Sequence, residues 1–265
     1  MSDKTTELKK KSDKQKPAED ESGKMSFLEH LDELRKRLLH IAAYLIGGFA
    51  VCLFFSKPIY DFIAKPLTEI LPNEKLIFFK LTTPFLLYMK VAFLGGIFLT
   101  IPLTLYEVWK FIAPGLYKKE KRFVIPFLFS SVLLFFAGGA FCYFFVLQNA
   151  YKFLINLGSS FNAMIEVKEY LDLTNMMILG FGLVFEMPIL IAFLSLLGIV
   201  SAKFLLKNFK YAVLILVIIA ALLSPTGDPV NLAIWSAPMI LLYFVSIGVA
   251  AFCEHERRQK PGVFQ

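Results

Sequence analysis

WKFIAPGLYKKEKRFVIP, Trp109 to Pro126, sets one carboxylate, Glu120, among Lys118, Lys119, Lys121 and Arg122 between two long apolar runs. Apolar runs on both sides make this segment a loop between membrane spans, and Lys and Arg near span ends hold such a loop on the cytoplasmic side. The embedded acid is different in kind, because its two oxygens can meet an incoming guanidinium. HLDELRKRL, residues 30–38, repeats the arrangement with Glu33. Two acids in basic surroundings on one membrane face point to a docking site for a basic peptide.

The composition agrees with that reading. The chain has 265 residues, 57% hydrophobic, with 29 Phe and a mean hydropathy of +0.64, far too apolar for a soluble domain of this length. Its apolar runs are blocks of roughly 15 to 25 residues, whereas a barrel shows alternating segments of about 10, so helices are the spanning element. The net charge of +7 needs no nucleic acid, since the basic residues cluster at span ends where they orient the protein and meet anionic lipid. Cys52, Cys142 and Cys253 fall in or beside apolar runs at spacings that fit neither disulfides nor a metal site, and read as buried thiols.

Residues 1–24 are charged and nearly free of apolar side chains, so they are expected to form a disordered tail. Phe27, Leu28, Leu31, Leu34 and Leu38 then recur at helical spacing, an amphipathic helix that leads into a retained first span over Leu38–Ser56. Further spans read as 85–108, 123–147, 173–198, 209–223 and 230–252, giving six. Of the basic residues, 21 lie in the tails and the loops on one face against 6 in the alternate loops, which puts both termini in the cytoplasm. Two loops of about 25 residues and the tight turn SPTGDP (224–229) then lie outside. The fifth span is short, some 22 Å at the helical rise against about 30 Å of hydrocarbon. Pro102, Pro126, Pro188 and Pro238 favour kinked helices and a curved bundle.

Five separated segments carry a resemblance: HLDELRKRL (30–38), KPL (65–67), LYEVWKFIAPGLYKKEKR (105–122), FEMP (185–188) and the SP…D element of 224–228. In order, over about residues 27–252, they resemble the TatC family, the multispanning subunit of the twin-arginine protein translocase. The resemblance implies an all-α, glove-like bundle of six spans over residues 25–252. It also implies a receptor for signal peptides bearing paired arginines, which helps to move folded proteins across the membrane. By the same resemblance, Glu33 and Glu120 are the acids for the arginine pair, and Phe111 and Pro114 shape the loop. Tyr143 and Glu186 are intramembrane contacts for a partner or the peptide, and Pro66, Arg35 and Asp228 match further positions that the family uses. The implied partners are small single-span subunits of TatA/TatB type, further copies of the chain and membrane lipid, with energy from the transmembrane proton gradient. Two departures stand out: VLQNAY (146–151), where many relatives place a proline, and an added Gly227 in the last turn.

On periodicity alone, Glu33 reads as a solvated helix residue paired with Arg37 at i+4, and Glu120 as an acid neutralised by its Lys neighbours; the resemblance reverses both readings. Glu186 lies near the middle of an apolar span, where an acid marks a functional site by default. Its plain alternative is a structural acid that is protonated or bonded to a neighbouring helix, for instance to backbone freed by Pro188. A neutral carboxyl there can be the hydrogen-bond partner of another helix. His30, His40 and His255 are too scattered for a metal. Trp109, Tyr106, Tyr117, Tyr60 and Tyr170 read as interfacial anchors, and the pairs Gly47–Gly48, Gly95–Gly96 and Gly138–Gly139 as sites of close helix approach. No phosphate loop, zinc helix or nucleophile elbow occurs, so the chain is expected to be no enzyme and to need no cofactor. The competing function is an ion-coupled small-solute transporter with Glu186 as its proton-binding acid. The lack of a transit-like leader favours a bacterial inner membrane over a plastid one.

Overall fold

In the computed structural model, α1 (Phe27–Phe54) runs unbroken from the amphipathic stretch through the first span. The structure describes residues 27–70, 76–113, 124–160, 164–223 and 229–259. Of the apolar stripe of that stretch, Leu28, Leu31 and Leu38 are exposed and Leu34 is half-buried. Lipid tails are as apolar as leucine, so in a membrane such a face needs no protein cover.

After α1 come α2 (Ser56–Thr68) and α3 (Thr83–Ile112), then α4 (Val124–Phe141), which passes through a π-helical segment (Cys142–Val146) into α5 (Leu147–Leu157). The next span is broken into α6 (Val167–Val184) and α7 (Met187–Leu196). A short α8 (Ala202–Lys207), α9 (Phe209–Leu223) and α10 (Pro229–Gln259) complete the described helices. Five units have the length and apolar composition to cross a membrane, and α9 is an apolar helix shorter than these. The fold is therefore the all-α, six-helix membrane bundle expected, with the fifth span short as its sequence indicates.

Small residues decide how closely the helices approach. A Cβ on Gly96 of α3 would lie 2.7 Å from the backbone nitrogen of Phe49, and one on Gly48 of α1 would lie 2.9 Å from the Gly96 carbonyl oxygen. Backbone meets backbone there, which only glycine permits. Gly138 does the same for α4 on α6, where a Cβ would stand 2.7 Å from the Phe181 carbonyl oxygen. Gly47 borders open space, so the first of the three glycine pairs contributes one contact residue, not two.

The segment between the first two spans departs from expectation: what reads as a loop contains the helix α2, with Ile63, Ala64, Pro66 and Leu67 buried along one side. Pro66 has no N–H, so the carbonyl of Phe62, one turn earlier, loses its helical donor. The Tyr143 hydroxyl replaces it, donating to the Phe62 oxygen at 2.6 Å, with the two rings stacked at 4.5 Å. The next carbonyl, that of Ile63, accepts from the Tyr170 hydroxyl at 2.7 Å. Tyr170 is thus a buried clasp and not an interfacial anchor. Behind α2, Ile77 and Glu166 form an isolated parallel bridge, in which the Ile77 N–H donates to Ile165 O and the Val167 N–H to Ile77 O. Cys52 and Cys142 are buried as expected, but Cys253 is only half-buried.

Candidate functional site

Glu33 and Arg37 stand one turn apart on α1, and Glu107 faces them from α3. The Arg37 guanidinium divides between the two acids: one terminal nitrogen donates to Glu33 Oε1 at 3.0 Å and the other to Glu107 Oε2 at 2.8 Å. Glu107 is buried, 3% exposed, and its second oxygen meets the Tyr44 hydroxyl at 3.4 Å and His40 Nδ1 at 3.6 Å. Glu33 Oε2 and Arg37 Nε are buried without a hydrogen-bond partner among the described residues. Glu29, Asp32, Glu33, Lys36, Arg37 and His40 line an open groove of about 620 Å³ along this face.

Phe111, near the end of α3, stacks on His30 with ring centroids 4.4 Å apart. This joins the last turn of α3 to the start of α1 beside Glu33. His30 and His40, which read as incidental in the sequence, both belong to this cluster. Arg35 is exposed on α1 and lies on another face from Glu33, two residues earlier. Glu120, Pro114 and Asp228 lie outside the described residues.

Glu186 occupies the break between α6 and α7. It is buried, and its side chain makes no cap bond to the following helix. The Ser131 hydroxyl of α4 bonds to it, a contact with a neighbouring helix that the plain structural reading also expects. Ser131 Oγ also accepts from the indole N–H of Trp109 at 3.4 Å. Trp109 is 3% exposed and stacks on Phe127, so it is part of a buried polar relay and not an interfacial anchor. Glu186 Oε1 is left without a partner among the described residues. The expected site residues thus fall in three places: Glu33 with Phe111 at one end of the bundle, Pro66 with Tyr143 at the α2 end, and Glu186 inside.

The sequence profile described as Sec-independent protein translocase protein (TatC) matches residues 29–238. The chain belongs to the TatC family. A family member from Koribacter versatilis is 49% identical over 240 residues, covering 89% of each chain. Another, from Desulforapulum autotrophicum, is 40% identical over 86% of this chain and 84% of its own length. The bundle also matches a crystal structure described as the twin arginine translocase receptor TatC, with a TM-score of 0.77, 32% identity, and coverage of 84% of this chain and 99% of the other. TatC membership makes the chain a membrane-embedded component of a protein translocase, a role that is in general non-enzymatic. The small-solute transporter alternative finds no support in these matches.

Glu107 escaped the sequence reading, although its signal is plain in retrospect: it is an ionisable side chain within an apolar helix, like Glu186. It sits in the LYEVW segment that carries the TatC resemblance, but the basic loop that follows drew attention to Glu120 instead. The partnership of Pro66 with Tyr143 joins residues 77 positions apart and has no local signature.

Proposed function

We propose that this TatC-family chain is the receptor for twin-arginine signal peptides, with Glu33 and Glu120 accepting charge-assisted hydrogen bonds from the paired guanidinium groups. The observation that carries the reading is Glu33 itself: it lines a polar groove, with one carboxylate oxygen on Arg37 and the other buried and unpartnered among the described residues. Arginine fits such an acceptor better than lysine, because its planar fork presents parallel donors. Phe111 and Pro114 shape the loop that carries Glu120. Pro66 and Tyr143 act through the clasp on α2, and Glu186 meets a partner helix or the inserted peptide after docking.

In this reading both termini and the groove face the cytoplasm of a bacterial cell, with the membrane domain over 25–252 between charged tails at 1–24 and 253–265. The distribution of Lys and Arg supports that orientation. Single-span subunits of TatA/TatB type, further copies of the chain and the proton gradient complete the transport machinery. Photocrosslinking from position 33 or 120 tests the reading. A peptide with paired arginines is captured strongly and one with paired lysines weakly; equal capture of both, or none, refutes it.

A further inference from the structure

Resting on the receptor reading, the geometry points to Glu107 as a positioning residue that shares Arg37 with Glu33 and so leaves one Glu33 carboxylate oxygen, buried beside the groove, unpartnered for the incoming guanidinium to take up. Arg37 is an internal competitor for that acceptor. It lies one turn from Glu33 on the same helix, and an arginine there can grip a carboxylate with two parallel N–H groups. Here it does not. One of its terminal nitrogens is drawn across to α3, where Glu107 Oε2 accepts at 2.8 Å, so Glu33 receives a single bond and keeps Oε2 unpartnered among the described residues.

Two features show that Glu107 is built for this. It is the more deeply buried acid, and Tyr44 and His40 converge on its other oxygen, so its position does not depend on Arg37 alone. Charge balance points the same way. The described groove side chains together with Glu107 comprise the acids Glu29, Asp32, Glu33 and Glu107 against Lys36 and Arg37, a deficit of two positive charges between the carboxylates and the Lys and Arg side chains. Neutralising Glu107 would halve that deficit and release Arg37 to close on Glu33 with both nitrogens. The incoming arginine would then have to displace a bound one.

A simple α1–α3 tether would make different predictions, and a double-variant cycle separates the two. The full chain in lipid nanodiscs is titrated with a fluorescent twin-arginine signal peptide, and its melting temperature is recorded in parallel. Glu107→Gln keeps a hydrogen-bonding side chain but removes the charge, and is expected to weaken peptide binding by about tenfold or more, the scale of one charge-assisted hydrogen bond. Adding Arg37→Gln removes the competitor and is expected to restore binding to within about threefold of the native chain, half a decade in affinity. A tether predicts no such recovery, since the double variant still lacks the link. Native affinity in Glu107→Gln overturns the inference, as does a double variant that melts normally yet binds no better than Glu107→Gln. If the double variant fails to melt cooperatively, Arg37→Met in the Glu107→Gln background makes the same comparison with the apolar stem retained. Glu33→Gln is the control for the underlying reading: native binding in that variant would remove the receptor assignment and this inference with it.

Discussion

Tyr143→Phe deletes one oxygen and leaves the ring stack on Phe62 in place, so it isolates the bond that the tyrosine makes to the Phe62 carbonyl at 2.6 Å. That carbonyl has no helical donor because residue 66 is proline. The neighbouring crevice, about 320 Å³, is lined by apolar and aromatic residues such as Ile59, Leu94 and Phe98, which offer no replacement. Leaving a buried acceptor unsatisfied costs about 1 to 3 kcal/mol, an upper range for this part-buried bond. At about 2 to 4 °C per kcal/mol, that lowers the melting temperature by roughly 2 to 12 °C. The decisive comparison repeats the substitution in a Pro66→Ala background, where the restored N–H supplies the carbonyl from within α2. There the cost of Tyr143→Phe should shrink by about 1 kcal/mol or more, a coupling well outside the additivity of independent sites. Melting of the purified protein followed by intrinsic fluorescence reads all four variants. Equal costs in the two backgrounds would refute the argument that the tyrosine substitutes for the missing donor.

Gly96→Ala pushes a methyl group against the Phe49 backbone and should destabilise by about 1 to 3 kcal/mol, whereas Gly47→Ala, which meets open space, should be neutral or slightly stabilising in the same melting assay. For Glu186, export of folded cargo and crosslinking of peptide at position 33 should separate: Glu186→Ala loses export but keeps crosslinking, while Glu186→Gln preserves the bond to Ser131 and retains most export. Failure of both variants in export would instead require proton exchange at this position. With the native cysteines replaced, an impermeant thiol reagent added outside should label Thr226→Cys and spare Lys119→Cys; the reverse pattern would invert the topology.

Hydropathy made the six membrane helices legible, down to the short α9, because the bilayer imposes a length and an apolar composition that can be counted residue by residue. Helix α2 was not legible in that way. It is amphipathic and lies outside the spans, and its buried side faces α3 and α5, which only the assembled bundle brings together. At the candidate site, motif matching singled out Glu33 and Phe111 but not the side chains they meet. The division of Arg37 between Glu33 and Glu107 depends on where α3 crosses α1, which Gly48 and Gly96 determine through a contact 48 positions apart in the chain. Trp109 shows the converse error: its type and its place near a span end favour an interfacial position, yet Ser131 offers a buried acceptor that composition does not reveal.

The π-helical segment has a further consequence for the long third span. Buried residues recur there in pairs, Gly138–Gly139, Cys142–Tyr143, Val146–Leu147 and Ala150–Tyr151, a strict interval of four. An ordinary helix advances about 100° per residue, so a four-residue stripe winds around it by about 40° at every step and about 120° over three. The wide turn at Cys142–Val146 accommodates one extra residue and takes up most of that drift, so the stripe runs straight along one side. Tyr143 can therefore reach α2 while Tyr151, eight positions later, still meets Thr174 on α6. Because seven residues make nearly two ordinary turns, a chain lacking one residue in this segment could wind as a regular α-helix and still present both tyrosines to the same side. Length variation by a single residue is thus tolerable here, at a depth in the membrane where elsewhere it would rotate half a helix out of its packing.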